Sequence, residues 1–440
     1  MNKTDLDRLL PRARGIAALR GVLDSGAGRD FLTLLGLLAI EKPDPEPVAD
    51  ACSRLWGELA HASEPLLEDA WQAHLVERFL EGEHPFALAA EKGELSTLLL
   101  EQVRRDLRTL RALFDLDAET LLGAVEEAVP ELAGLWVPPP GPDYKTDAPS
   151  RRALAGKFAT TADWGELAGT LAGHYALYGA GPLGRYRAFR WKDGDLQAVP
   201  HPDPVSLEGL IGYERERQPL LKNTERLLAG LPSHHALLYG LPGTGKSSTV
   251  KAVLNEYADR GLRLVELAKE DLKELPDLLD ALRGRGPRFI LFVDDLSFEE
   301  HEVEYKALKA LLEGSIEEPP GNVRLYATSN RRNLIRERFS ERDEADDVHA
   351  RDTMQEKLSL AARFGLRITF PAPDQKRYLE IVSGLVEERG IKLCGEELRE
   401  RALLWDRWHA GRSGRTARQF VDELEAELCE GRLGDGRVNG

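Results

Sequence analysis

The stretch ALLYGLPGTGKSS, residues 236–248, holds Gly240, Gly243, Gly245, Lys246 and Ser247 at the spacing of a phosphate-binding loop. Each residue type has a physical job there. Glycines let successive backbone N–H groups turn inward without a Cβ in the way. Lys246 sets a point charge against the β- and γ-phosphates of a nucleotide, and the Ser247 hydroxyl suits Mg²⁺. Leu241, Pro242 and Thr244 fill the loop, and Ser248 follows it. The lysine is expected to serve the ligand and to pack little of the core. A helix beginning near Lys246 would aim its positive dipole end at the same anion.

A second group of chemical residues follows an apolar run. Residues 289–293 end in Asp294 and Asp295, and acids at a strand's carboxyl end lie beside the loop leaving a neighbouring strand. Asp294 suits Mg²⁺ held through its waters, and Asp295 suits polarising an attacking water. Alone, such a pair is as often a solvated turn. Residues 323–328 end in Ser329 and Asn330, placing Asn330 where it can orient that water between the two signatures. A turn-forming asparagine is the plain alternative.

These residues need strands to hold them. Five stretches read as strands, 236–239, 262–267, 289–293, 323–328 and 366–370, with a helical pattern over 246–261 after the first. Their alternation with amphipathic stretches predicts a parallel five-stranded sheet covered by helices on both faces. Residues 1–136 read as a mainly α-helical domain, shown best by Leu95, Leu98, Leu99, Val103, Leu107 and Leu110. Residues 137–206 form a Pro-rich linker, a helix over 162–178 and a small hairpin across Asp193-Gly194. In that hairpin Phe189 and Trp191 read as a packed face rather than a base-stacking pair. The α/β core spans 207–373, a helical lid 374–430, and a flexible tail 431–440.

Composition narrows the class. A formal charge of −16 counts against a nucleic-acid coat and an anionic-membrane binder, which need a cationic field. Cys52, Cys394 and Cys429 lie far apart with no CxxC pair, so neither a zinc site nor a disulfide framework is suggested. His234 and His235 precede the first strand without further ligands, and His349 reads as exposed. The start, MNKTDLDRLLPRARG, lacks a secretion signal's apolar region, and the apolar run 31–40 is too short to span a bilayer. A cytoplasmic protein is expected.

The segments GTGKSSTVKAVLNEY, FVDDLSFEE, YATSNRRNLI, RFGLRITFPAP and RSGRTARQF resemble AAA+ P-loop ATPases. More narrowly, they resemble the AAA+ family labelled domain of unknown function 815, over residues 182–428. The opening of LEGLIGYERE resembles the segment such proteins lay against adenine, which marks Ile211 and Gly212. The resemblance implies ATP with Mg²⁺ as ligands and Asn330 as sensor 1. It implies Arg363, in AARFG, as an arginine finger for a neighbour's γ-phosphate, and Arg418, in GRTARQF, as sensor 2, with Arg415 as second candidate.

A homo-oligomer follows, a hexameric ring among its forms, that hydrolyses ATP to move a macromolecular partner held by the N-terminal domain. One residue departs from the pattern. Most AAA+ ATPases carry Glu where Asp295 stands, one methylene longer, so a slowly hydrolysing switch or scaffold is the second reading. Glu299 or Glu300 would be substitutes. A nucleic-acid loader is the third reading, against which the acidity counts. No aromatic stands in residues 269–286, which weakens a threading unfoldase. The charged insertion at 333–357 reads as a solvated loop or a contact with a partner or neighbouring subunit.

Overall fold

The apolar run before the phosphate loop, 236–240, lies in one sheet between the runs 323–329 and 366–370. The computed structural model describes residues 3–61, 66–139, 149–297, 308–309, 311–312, 319–330, 361–409 and 411–435. Contacts divide the chain into two compact units: residues 1–186 with 259–261 and 284–287, and the remainder.

Unit 1 is helical: α1 (Lys3–Arg14), α2 (Gly26–Leu38), α3 (Pro45–Ala60), α4 (Ala70–Glu81), α5 (Pro85–Lys92), α6 (Thr97–Phe114), α7 (Ala118–Ala128), α8 (Pro149–Thr160), α9 (Ala168–Tyr178) and α10 (Pro182–Arg185). In α6, Ser96 caps the amide of Leu99, and Val103, Leu107 and Leu110 recur on one fully buried face. Leu98 departs from the predicted stripe at 85% exposed, because five residues before Val103 is well off that face. The core is aromatic, with Phe31 and Trp71 stacked at 3.7 Å and Trp164 edge-on to Phe114 at 4.9 Å. Buried Asp106 accepts the amides of Ala17, Ala18 and Leu19 through one oxygen, which pins the turn after α1.

Unit 2 carries β1 (Ala188–Lys192), β2 (Asp195–Ala198), α11 (Glu214–Leu228), β3 (Ala236–Gly240), α12 (Lys246–Tyr257), β4 (Leu262–Glu266), α13 (Leu275–Leu282), β5 (Arg288–Val293), β6 (Val323–Ser329) and β7 (Leu366–Phe370). It closes with α14 (Gln375–Glu388), α15 (Gly395–Trp408) and α16 (Gly414–Asp435). The sheet order is β2-β1-β4-β5-β6-β3-β7, and every pair except β1–β2 is parallel. β4, β5 and β6 are buried almost throughout, as strands covered on both faces must be.

Among the described residues the sheet has seven strands, where five were expected. The hairpin read as a separate piece extends it, since β1 pairs parallel to β4 through Phe189 and Val265. Phe189 and Trp191 are both buried, and the Trp191 indole donates to Glu274, so they are a packed face. The predicted 162–178 helix divides into a 3₁₀ turn, Trp164–Leu167, and α9. Residues 436–440 lie outside the described residues. Among the described residues no helix is long and apolar enough to cross a membrane.

The topology positions the chemistry. β3 lies between β6 and β7, and β6 lies between β5 and β3. The carboxyl ends of β3, β5 and β6 therefore sit side by side, and each leads into a segment that carries polar residues.

Candidate functional site

The loop after β3 is shaped by close backbone approach. A Cβ on Gly240 would lie 2.1 Å from the Phe370 carbonyl oxygen, so only glycine lets β3 leave the sheet beside β7. Gly243 takes φ 78° and would otherwise meet the Ser413 hydroxyl at 2.9 Å, ahead of α16. No side chain caps the start of α12, so its first-turn N–H groups remain for a ligand.

Lys246 is buried, at 5% exposed, contrary to the expectation that it packs little. Its ammonium donates to the carbonyls of Gly240 at 2.8 Å and Leu241 at 2.9 Å, and to Asn330 Oδ1 at 3.0 Å. Three donors meet three acceptors. Burial lowers its pKa from the ordinary lysine value; Asp294 and Asp295 oppose that shift, and Arg415 adds to it.

The two acids diverge. Ser247 Oγ donates to Asp294 Oδ1 at 2.6 Å, while Asn330 Nδ2 donates to Asp295 Oδ1 at 2.7 Å. Asp295 has φ 50°, a left-handed conformation that costs a non-glycine residue about 1–2 kcal/mol. That turn sends its side chain toward β6 while Asp294 faces α12.

A cavity of about 580 Å³ opens over these residues, with Pro242, Thr244, Ser248, Asp294, Asp295 and Asn330 in its wall. Arg415 and Arg418 line it from α16, one turn apart, so both arginine candidates face the cavity. The Arg415 amide also donates to the Gly243 carbonyl at 3.3 Å. At the other end stand Ile211, Tyr213, Ile381 and Leu385. The Tyr213 hydroxyl donates to the Pro371 carbonyl at 2.8 Å, and the Arg377 guanidinium lies 4.6 Å from the centre of its ring. An apolar end and a polar end, 580 Å³ in all, suit a nucleobase and a phosphate chain.

Some predicted residues shape this cavity without lining it. Gly240 and Leu241 lend carbonyls to Lys246, and the Gly212 amide donates to Glu214 Oε1 at 2.8 Å. Gly212 instead takes φ 92°, where a Cβ would meet Ile381 at 3.0 Å. Arg363 is exposed and is not in the cavity wall. Glu299, Glu300, Arg331, Arg332, His349 and the 333–357 insertion lie outside the described residues.

Sequence reasoning passed over four contributors. Thr328 follows an apolar run and reads as a strand former, yet its hydroxyl donates to Asp294 Oδ1 at 2.5 Å. Tyr213, Ile381 and Leu385 read as core residues. The i, i+4 spacing of the last two on α14 was the available signal that they share one face. His235 is structural, its Nδ1 accepting the Leu325 amide at 3.0 Å.

The oxygen donor set fits a hard cation. Among the described residues no group of three or more His, Cys, Asp or Glu could hold a metal by itself. Mg²⁺ needs none, since one carboxylate, a hydroxyl, waters and substrate phosphates complete its shell. Ser247 and Asp294, already hydrogen-bonded, are the residues that would hold it.

A family model described as a protein of unknown function, DUF815, matches residues 184–428, more than half of the chain. The chain belongs to the DUF815 family. This DUF815 protein is an AAA+ P-loop protein, 28% identical over 185 residues to the proteasome-activating nucleotidase of Pyrococcus furiosus. That overlap covers 38% of this chain and 41% of the relative. Over 158 residues it is 29% identical to the proteasome-activating nucleotidase of Methanocella arvoryzae, covering 31% of this chain and 38% of that one. The chain thus spans about two fifths of the length of these relatives. Among solved structures, the RuvB Holliday junction branch migration motor of Thermotoga maritima aligns at 18% identity and a TM-score of 0.36, covering 52% of this DUF815 chain and 67% of that one.

Proposed function

We propose that this DUF815 protein binds ATP with Mg²⁺ in the cleft and hydrolyses the β–γ phosphoanhydride. One observation carries the reading. Lys246, Asn330 and Asp295 form one hydrogen-bonded chain and Ser247 and Asp294 another, and all five residues, carried at three strand ends, line one cavity. Ser247 and Asp294 would hold Mg²⁺, which supplies charge neutralisation to the phosphates. Lys246 would turn from the loop carbonyls to the β- and γ-phosphates. Asp295, held by Asn330, would orient a water whose oxygen attacks the γ-phosphorus as the bond to the β–γ bridging oxygen breaks. Arg415 and Arg418 face the same cavity and would add charge from the lid helix.

In this reading ATP turnover moves a macromolecular partner. Unit 1 recognises a protein client, Arg363 serves a neighbouring subunit of a homo-oligomer, and the setting is cytoplasmic.

A second reading, a slowly hydrolysing switch, is favoured by one observation. Asp295 is short and already engaged by Asn330 at 2.7 Å. Turnover by the wild type and by Asp295→Asn separates the two. A rate of about 1 s⁻¹ or more, in the ordinary enzyme range, that is lost in the variant supports hydrolysis. Tight ATP binding with near-zero turnover in both supports the switch.

A further inference from the structure

Thr328 is 1% exposed, and its hydroxyl has one hydrogen to give. An ionised carboxylate only accepts, so that hydrogen goes to Asp294 Oδ1 at 2.5 Å. The Thr328 hydroxyl oxygen itself accepts the Asp295 amide at 2.9 Å. The Thr328 carbonyl in turn accepts the Leu296 amide at 2.7 Å. Three consecutive residues beyond β5 are thus tied to one residue of β6.

This tie begins where the ladder stops. β5 and β6 pair in register as far as Val293 and Ala327. Thr328 is the next residue on β6, and its side chain replaces the pairing that the turn at Asp295 ends. That turn is the left-handed one, φ 50°, and the hydroxyl holds its amide. On one side Asp294 stays against Ser247; on the other Asp295 reaches Asn330.

We propose that Thr328 is a positioning residue of this site, its hydroxyl setting the directions of both acids. The inference rests on the nucleotide reading of the cleft. It assigns Thr328 no contact with the substrate; it acts through Asp294 and Asp295. Valine would fill the same volume but leave the Asp295 amide without its acceptor and Asp294 without one donor. Serine keeps both bonds.

The test compares wild type, Thr328→Val and Thr328→Ser as full chains, with thermal melting as a check on folding. ATP binding is titrated with Mg²⁺, read with a fluorescent ATP analogue, and turnover is measured in parallel. Partners that orient a metal-holding group are worth about 10–100-fold in metal affinity. Thr328→Val is therefore expected to need about 10–100-fold more Mg²⁺ for half-maximal effect. Its turnover should fall while its melting stays cooperative, and Thr328→Ser should stay near wild type in both readouts. If wild type binds ATP but Thr328→Val matches it in Mg²⁺ requirement and turnover, the positioning role is wrong while the nucleotide reading stands. Equal defects in Thr328→Val and Thr328→Ser also overturn it, since the hydroxyl would then not matter. A folded wild type that binds no ATP overturns both.

Discussion

Lys246 and Asn330 are joined by a 3.0 Å hydrogen bond from the lysine ammonium to Asn330 Oδ1. The asparagine's other end donates to Asp295 at 2.7 Å. One amide therefore spans Lys246 and Asp295, the residues proposed to serve the phosphates and the attacking water. Asn330→Ala should cut turnover by about 10²–10³, the usual cost of losing one oriented donor, while changing ATP affinity far less. Single-turnover kinetics beside equilibrium binding reads the split. An equal fall in binding and turnover would assign Asn330 to ground-state binding instead.

Arg363 should act across a subunit boundary. It is exposed and outside the cavity wall, while Arg415 and Arg418 line the cavity from their own chain. A guanidinium stays charged and offers a planar fork to phosphate oxygens. Arg363→Ala and Lys246→Ala, each inactive alone, should therefore regain hydrolysis when mixed. A co-assembled mixture as inactive as its parents, or full turnover by a wild-type monomer, would refute the trans role.

Acid should loosen the fold. Burial is the leading cause that holds His74, His84 and His235 at about 4, against 6.5 for an unhindered imidazole. Between those values the unfolded chain binds protons that the folded one refuses, so stability falls as pH drops from 6.5 toward 4. Each histidine contributes up to about 2 kcal/mol of that loss by pH 5. Glu77, which burial raises from 4.5 to about 7, works the other way and offsets about one histidine. Urea midpoints should still be lower at pH 5 than at pH 7.5, and equal midpoints would contradict the net loss.

The phosphate loop was legible because its glycines answer to backbone geometry, which one sequence displays directly. Asp294, Asp295 and Asn330 were legible because each ends an apolar run, and parallel strands carry such ends to one edge. The partnership of β1 with β4 was not. Residues 188–192 show that they prefer an extended chain, but a parallel pairing across more than 70 residues leaves no local trace. Thr328 was hidden by its own propensity, since threonine is at home in any strand. The arginines of α16 were legible as a pair and not as a choice, because residues three apart on a helix face the same way.

Calorimetric titration of Mg²⁺–ATP into wild type and Lys246→Ala, with melting curves for both, tests the central claim most directly. Lys246 makes two hydrogen bonds to loop carbonyls and one to Asn330, so the variant is expected to melt somewhat lower yet stay folded. Removing a buried charge from the phosphate site should weaken binding by about 100-fold or more, near 3 kcal/mol. A folded variant that binds Mg²⁺–ATP as tightly as wild type would contradict the account.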